Sequence, residues 1–329
     1  MEIKTKINNL ENHKIFVKVK HLINEYFKKN DFLEVDIPLL SPKLIPESYL
    51  EIFETENLYS ENKEKLYLIP SPELFLKRLI MEDVGNCYFL GKSFRNKEPI
   101  EIKHSYEFTM LEFYRVNADY FDIANDVMGL LRAISKELFS EEKIVYQNKL
   151  IKLDDYEKIT VAQAFEKYAG ITDIFNHQNF FEQAKDKGYQ IDDRDYTDVW
   201  SQIYGIEVEP NLGKNGLVTF IYEYPKELAA ITKINENNIA ERFEFYIDGI
   251  ELGNCGNEGV EINEYKGRFE DDIKTRKENG LIDYVPDREF IEVLEKLPKC
   301  AGIAIGVDRL AMIFANAKSI NDLKLINIE

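Results

Sequence analysis

Apolar residues at positions 15, 16, 19, 22, 23, 26 and 27 recur at the helical period with Lys, His and Asn between them, which predicts an amphipathic helix over 15–27. FLEVDIPLLSP follows and reads as extended, with Pro38 suited to a strand end or edge because it lacks a donor. The Glu- and Asn-rich stretch 51–65 predicts a solvated loop. Ser71-Pro72-Glu73 opens the helix LFLKRLI, with Ser71 as N-cap, Pro72 at the first helical position and a carboxylate in the first turn. Residues 87–116 read as an antiparallel pair, CYFLGKSF and YEFTMLEFYRV, joined by a long charged loop. In the second strand a period of two puts Phe108, Met110, Glu112 and Tyr114 on one face. Glu107, Thr109, Leu111, Phe113 and Arg115 take the other, so Glu112 shares its face with two aromatics.

Apolar positions 123, 127, 130, 131, 134 and 138 predict a long helix, after which the chain is poorly patterned to about residue 200. Within that stretch TVAQAFEKYAG is the clearest element, a short helix with Thr160 as cap and Gly170 as stop. Strands return in GLVTFIYEYP and RFEFYIDGIELGN, where Asp248-Gly249 signals a two-residue hairpin. CAGIAIGVDRLAMIFAN reads as a strand that breaks into a helix at Gly306. Without repeats, low-complexity tracts or a Pro/Gly/Ser linker, residues 1–329 predict a single α+β domain, a mainly antiparallel sheet flanked by helices.

With 44% apolar and 12% aromatic residues among 329, a packed core is expected and disorder of the whole chain is excluded. The 42 basic against 60 acidic residues give a formal charge of −18, a field that repels nucleic acid and anionic membrane. Any phosphate handled here must therefore meet a few placed cations. Three unevenly spaced cysteines, Cys87, Cys255 and Cys300, fit a reducing compartment, and four scattered histidines have no zinc-ligand spacing. No apolar run approaches a membrane span and the start MEIKTKINNL has no apolar signal core, so a soluble cytoplasmic protein is expected.

Three segments place charge where strands usually bury apolar groups. Phe94-Arg95-Asn96 ends one strand, with Glu107-Phe108 and Glu112 across the loop; a solvated, salt-bridged sheet face is the plain alternative. Glu251-Leu252-Gly253-Asn254 is followed by Glu258, two carboxylates suited to a divalent cation or an ammonium, although an acidic chain produces such pairs by chance. Gly306-Val307-Asp308-Arg309 sets an arginine in the first turn of a helix, where anions bind; a surface arrangement without function is the alternative.

In this order the segments resemble the signature motifs of class II aminoacyl-tRNA synthetases, at about 32–42, 89–116 and 301–316, with a less patterned insertion at about 140–200. SPELFLKRLI, EFTMLEFY, ERFEFYIDGIELGN and GIAIGVDRLAMIF are similar to the lysyl-tRNA synthetase branch. The first motif starts about thirty residues in, so no anticodon-binding barrel is expected, and VEPNLGK with the Tyr-Pro of FIYEYP resembles the elongation factor P lysine ligase family. That resemblance implies ATP and Mg²⁺, an amino acid with a basic side chain, adenylation, and transfer to a lysine of elongation factor P. It also implies a homodimer built on the first motif. Stable tRNA binding and membrane association are not expected.

Carried over by position, Arg95 would hold the α-phosphate, Phe108 would stack on adenine and Arg309 would meet the γ-phosphate, with Asn96, Glu98, Ser105, Glu251, Leu252 and Gly306 lining the nucleotide site. Arg95, Arg309 and Glu251 would be the catalytic set, and Glu251 with Glu258 would face the metal. Ser71, Glu73, Glu112, Tyr114, Asn254, Glu258 and Ala304 match the amino-acid positions. The chain departs from the family in several places. Phe94-Arg95-Asn96-Lys97-Glu98 stands for Arg-Asn-Glu, and Ser105 stands where an asparagine is usual. Asn254-Cys255-Gly256-Asn257-Glu258 stands for Asn-Gly-Phe-x-Glu, which removes an aromatic wall worth ~1 to 3 kcal/mol. At Cys255 a small pocket-lining residue is the reading preferred over a thiol catalyst. Two rival functions stay open at this point: a ligase of the same fold with another amino acid and a small-molecule, peptide or carrier acceptor, and a non-catalytic binding or regulatory relative.

Overall fold

In the computed structural model, which describes residues 2–59, 63–98, 101–259 and 261–328, the chain forms two units, residues 1–119 with 258–329 and residues 120–257. The first unit opens with β1 (Ile3–Thr5) and α1 (Leu10–Lys29). The buried stripe of α1 is Val19, Leu22, Ile23 and Phe27, and the Phe27 ring lies 4.8 Å from Tyr88 and 4.7 Å from Phe113. The extended FLEVDIPLLSP contains two short strands, β2 (Leu33–Glu34) and β3 (Leu40–Ser41), with Pro38 between them.

The stretch 51–65 is not simply a loop: β4 (Glu54–Asn57) pairs antiparallel with β5 (Glu64–Leu68), and β3 joins on the other side of β5. Glu54, Thr55 and Glu56 are all exposed, so β4 has no apolar alternation to betray it; backbone pairing and the 2.9 Å Lys65–Glu54 ion pair hold it. Residues 60–62 of that stretch lie outside the described residues. The next helix, α2 (Glu73–Met81), corrects the expected cap: Pro72 occupies the N-cap position, its carbonyl accepting from the Phe75 and Leu76 N–H groups, and Ser71 lies one residue outside. β6 (Cys87–Phe94) and β7 (Glu107–Val116) form the expected antiparallel pair.

The second unit begins with α3 (Tyr120–Phe139), which buries Ile123, Val127, Leu130, Leu131 and Ile134. The poorly patterned region then opens as a hairpin, β8 (Lys143–Tyr146) and β9 (Lys149–Thr160), turned by Gln147 and Asn148 at φ 46° and 64°. Charged residues on its exposed positions hide an alternation that does bury Ile144, Tyr146, Ile151 and Leu153. Thr160 caps α4 (Val161–Ala164) through a reciprocal box with Gln163, and Gly170 at φ 66° ends the following turn. Two more helices, α5 (His177–Asp186) and α6 (Tyr196–Ile203), pack Phe180, Val199 and Trp200 into this unit's core. Three strands close it: β10 (Leu217–Pro225), β11 (Ile239–Ile247) and β12 (Ile250–Asn257), the last two turned by Asp248-Gly249 at φ 50° and 72°. Strand order in this unit is β12-β11-β10-β9-β8, antiparallel except for β9 and β10.

Returning to the first unit, α7 (Ile262–Glu278) and α8 (Phe290–Lys296) precede β13 (Cys300–Gly306), which turns at Gly306 into α9 (Val307–Phe314). The closing strand β14 (Ile326–Ile328) pairs antiparallel with β1. The sheet of this unit runs β2-β6-β7-β13, antiparallel except for β2 and β6, so the fold class is α+β.

Candidate active site

Register alone assembles one face of the first unit's sheet. β13 sets Gly302, Ala304 and Gly306 opposite Tyr114, Glu112 and Met110 of β7. β6 sets Cys87, Phe89, Gly91 and Ser93 opposite Tyr114, Glu112, Met110 and Phe108. Paired residues point to the same side of a sheet, so Glu112, Tyr114, Phe108 and Ala304 share a face, as the period of two predicts. Gly302 is needed there: a Cβ would lie 2.2 Å from Tyr114 Cε1. The Tyr114 ring covers the glycine, and its hydroxyl donates to Glu112 Oε1 at 3.1 Å.

Around this pair lies an acidic cluster organised by a residue the motif reading passed over. Lys77, one helical turn after Glu73 on α2, is 0% exposed, and its Nζ is 2.7 Å from Glu73 Oε1 and 2.7 Å from Glu258 Oε2. Burial acts to lower the Lys77 ammonium, but Glu258 and Glu73 outweigh it and the net shift is upward. Burial pushes Glu258 up to about 7 against the pull of Lys77. Burial, then the charge of Glu73, also raises Glu112, although the Tyr114 hydroxyl opposes the shift. Glu258 thus sits against an ammonium in this structure. Ser71 is half-buried at the start of the same helix.

Two arginines stand farther along, Arg95 just past β6 and Arg309 on α9. The Arg95 guanidinium is 5.4 Å from the Phe108 ring centre, and its Nε is buried without a hydrogen-bond partner among the described residues. A buried orphan donor beside an aromatic face suits a planar, anionic ligand. Arg309, in the first turn of α9, donates from Nε to the Lys103 carbonyl at 3.1 Å, and its Nη2 lies 3.4 Å from His104. His104 in turn lies 3.2 Å from Glu98. Asp308 is no surface residue: it is buried and accepts the Thr109 N–H at 2.6 Å, pinning α9 to β7. Asn96 is an anchor of its loop, donating to the Ile52 carbonyl at 3.2 Å. Ser105 accepts from Lys324 at 3.2 Å, and burial lowers that lysine's pKa, opposed by Asp308. No simple signal marked Lys324 in the sequence.

The other residues of the carried-over set belong to the second unit. Glu251, Leu252 and Asn254 lie on β12, half-buried, buried and exposed respectively. Cys255 is buried, and alternation along β12 turns it away from the side of Asn254. At Gly256 a Cβ would lie 1.9 Å from Thr232 Cγ2, so the Thr232 side chain fills the space beside this glycine. No group of three or more His, Cys, Asp or Glu able to hold a metal stands among the described residues, and no helix among them is long and apolar enough to cross a membrane.

The profile described as "tRNA synthetases class II (D, K and N)" matches residues 3–326. The chain belongs to this family. Among similar proteins, a relative from Avibacterium paragallinarum is 34% identical over 93% of this chain and 92% of its own length. Relatives from Buchnera aphidicola subsp. Acyrthosiphon pisum (strain Tuc7), 35% identical over 92% of this chain and 90% of its own, and Pasteurella multocida (strain Pm70), 32% over 98% and 96%, are comparably close. All three bear the name "Elongation factor P--(R)-beta-lysine ligase". Within the class II synthetases the chain therefore groups with these ligases, whose names match the second half of the sequence reading.

Proposed function

We propose that this protein is an ATP-dependent ligase that activates a lysine-like diamino acid as its adenylate and transfers the acyl group to a lysine of elongation factor P. The observation that carries the reading is the division of one sheet face into an aromatic and arginine end, Phe108 with Arg95, and an acidic end, Glu112 with Tyr114. In the first step the amino-acid carboxylate attacks the α-phosphorus and pyrophosphate leaves. Arg95 and Arg309 offset the charge that develops on the phosphates, and Glu73, Glu112 and Glu258 receive the ammonium groups. In the second step the acceptor amine attacks the activated carbonyl, the acyl–phosphate bond breaks, AMP leaves, and the amine loses a proton to water.

Mg²⁺ would be held mainly by the oxygens of the triphosphate and by water, because no protein cage is present among the described residues. When bound, it would neutralise charge on the departing pyrophosphate. Exposed Leu33 and Leu40 in the first motif support an isologous homodimer through that segment. The charge of −18 supports a basic protein acceptor over stable tRNA binding, and three thiols without a disulfide support a cytoplasmic setting. The test is ATP–pyrophosphate exchange across a panel of amino acids. Exchange with lysine, a β-lysine or ornithine supports the reading; exchange confined to neutral or acidic amino acids removes it.

A further inference from the structure

The ion-paired Lys77 is the one buried charge of the acidic cluster that the proposed chemistry leaves unused. We propose that Lys77 is a resident counter-ion of the amino-acid pocket and a specificity-determining positioning residue. Its ammonium fixes one oxygen each of Glu73 and Glu258 and leaves the others, with Glu112, to receive the two ammonium groups of a diamino acid. The inference rests on the functional reading above and deepens it.

Three features carry it. Lys77 is sealed, whereas the Glu73 side chain keeps 26% exposure and Glu258 6%, so an incoming ligand meets Glu73 first and never the lysine. The two contacts are equal at 2.7 Å and come from separate segments, Glu73 from α2 and Glu258 from the turn after β12, where its N–H is held by the Cys300 carbonyl at 2.9 Å. One ammonium therefore fixes two carboxylates that the chain brings together from far apart. The third feature is charge count. Three carboxylates with one ammonium leave two negative charges when all are ionised, matching the two ammonium groups left on a diamino acid once its carboxylate is acylated onto phosphate. The other titratable groups facing the cluster are Tyr114, Tyr265, Cys87, Cys300 and Glu47, all of them acids, with Glu47 also beside the Arg95 guanidinium. Without Lys77 the pocket would hold an uncompensated third negative charge, and neither Glu73 nor Glu258 would be pinned.

Lys77→Met and Lys77→Gln test this by ATP–pyrophosphate exchange with lysine and with norleucine, its analogue lacking the side-chain ammonium. Wild-type exchange with a diamino acid must be seen first; its absence overturns the functional reading and this inference with it. Given that, the expected result is a KM for the diamino acid raised ~10-fold or more, with kcat and the ATP KM changed by less than about threefold, and a matching loss of preference for lysine over norleucine. A folded variant with unchanged amino-acid KM and preference overturns the role of Lys77 alone. So does a uniform loss in kcat and both KM values, the mark of a merely structural residue. Should neither variant fold, side-chain ¹⁵N-lysine spectra of the wild type decide: the protected ammonium signal shifts on addition of lysine and not of ATP, and a signal indifferent to lysine overturns the proposal.

Discussion

Gly302→Ala puts a single methyl group where the Tyr114 ring now lies. The added Cβ would sit 2.2 Å from Tyr114 Cε1, 2.4 Å from Cδ1 and 2.8 Å from Cζ, distances at which something must move. Gly302 lies within β13 and is paired in register to Tyr114, so the backbone has little freedom and the ring must give. Overpacking of this kind costs about 1 to 3 kcal/mol. Moving the ring also breaks the 3.1 Å bond to Glu112, a buried carboxyl. Leaving a buried acceptor unsatisfied costs about 1 to 3 kcal/mol, and each 1.4 kcal/mol is tenfold in affinity, so the amino-acid KM should rise ~5- to 100-fold. The ATP KM should change far less, because Arg95 and Phe108 lie farther along the strands. Exchange kinetics with each substrate varied in turn, beside thermal unfolding, measure both effects. A variant with the wild-type amino-acid KM and melting temperature would refute the packing of Tyr114 over Gly302.

Arg95→Ala and Arg309→Ala should each lower exchange by ~10²-fold or more with circular dichroism unchanged, because each meets charge in the transition state. Asp308→Ala should cost about 1 to 3 kcal/mol in chemical denaturation, since the Thr109 N–H it satisfies is buried. The Glu258 carboxyl is raised by burial to about 7 and must be ionised to accept an ammonium, so the amino-acid KM should fall as pH rises through about 7. Its effect on stability has the opposite sign. A raised folded value contributes most below the ordinary 4.5 and is lost as pH climbs through about 7, so a melting temperature that this group fails to lower across that window would contradict its burial.

The antiparallel core of the first unit was legible because its strands bury one residue in two. That period alone put Glu112 beside Tyr114 and Phe108, and Gly306 marked the break from β13 into α9. Where alternation carried charge or had no buried face, composition misled: β4 exposes Glu54, Thr55 and Glu56, and β9 carries Asp154 and Asp155 in mid-strand. At the site, the likeness to known motifs supplied Glu73 and Glu258, but not the lysine between them. A Glu-to-Lys pair one turn apart on a helix reads as a solvated surface bridge until the fold buries it and brings in Glu258. Thr232 beside Gly256 and Lys324 beside Ser105 were hidden for the same reason, since each is a contact between segments with no local pattern.

The central claim is the acceptor and the activated amino acid together, and one measurement reaches both. Elongation factor P is incubated with enzyme, ATP, Mg²⁺ and a mixture of lysine and both β-lysines, and then weighed intact and as peptides. The account predicts a mass increase of one diamino-acyl group on a single lysine, dependent on ATP and absent with Arg309→Ala. An unmodified factor in a mixture where the same amino acids support ATP–pyrophosphate exchange would contradict it.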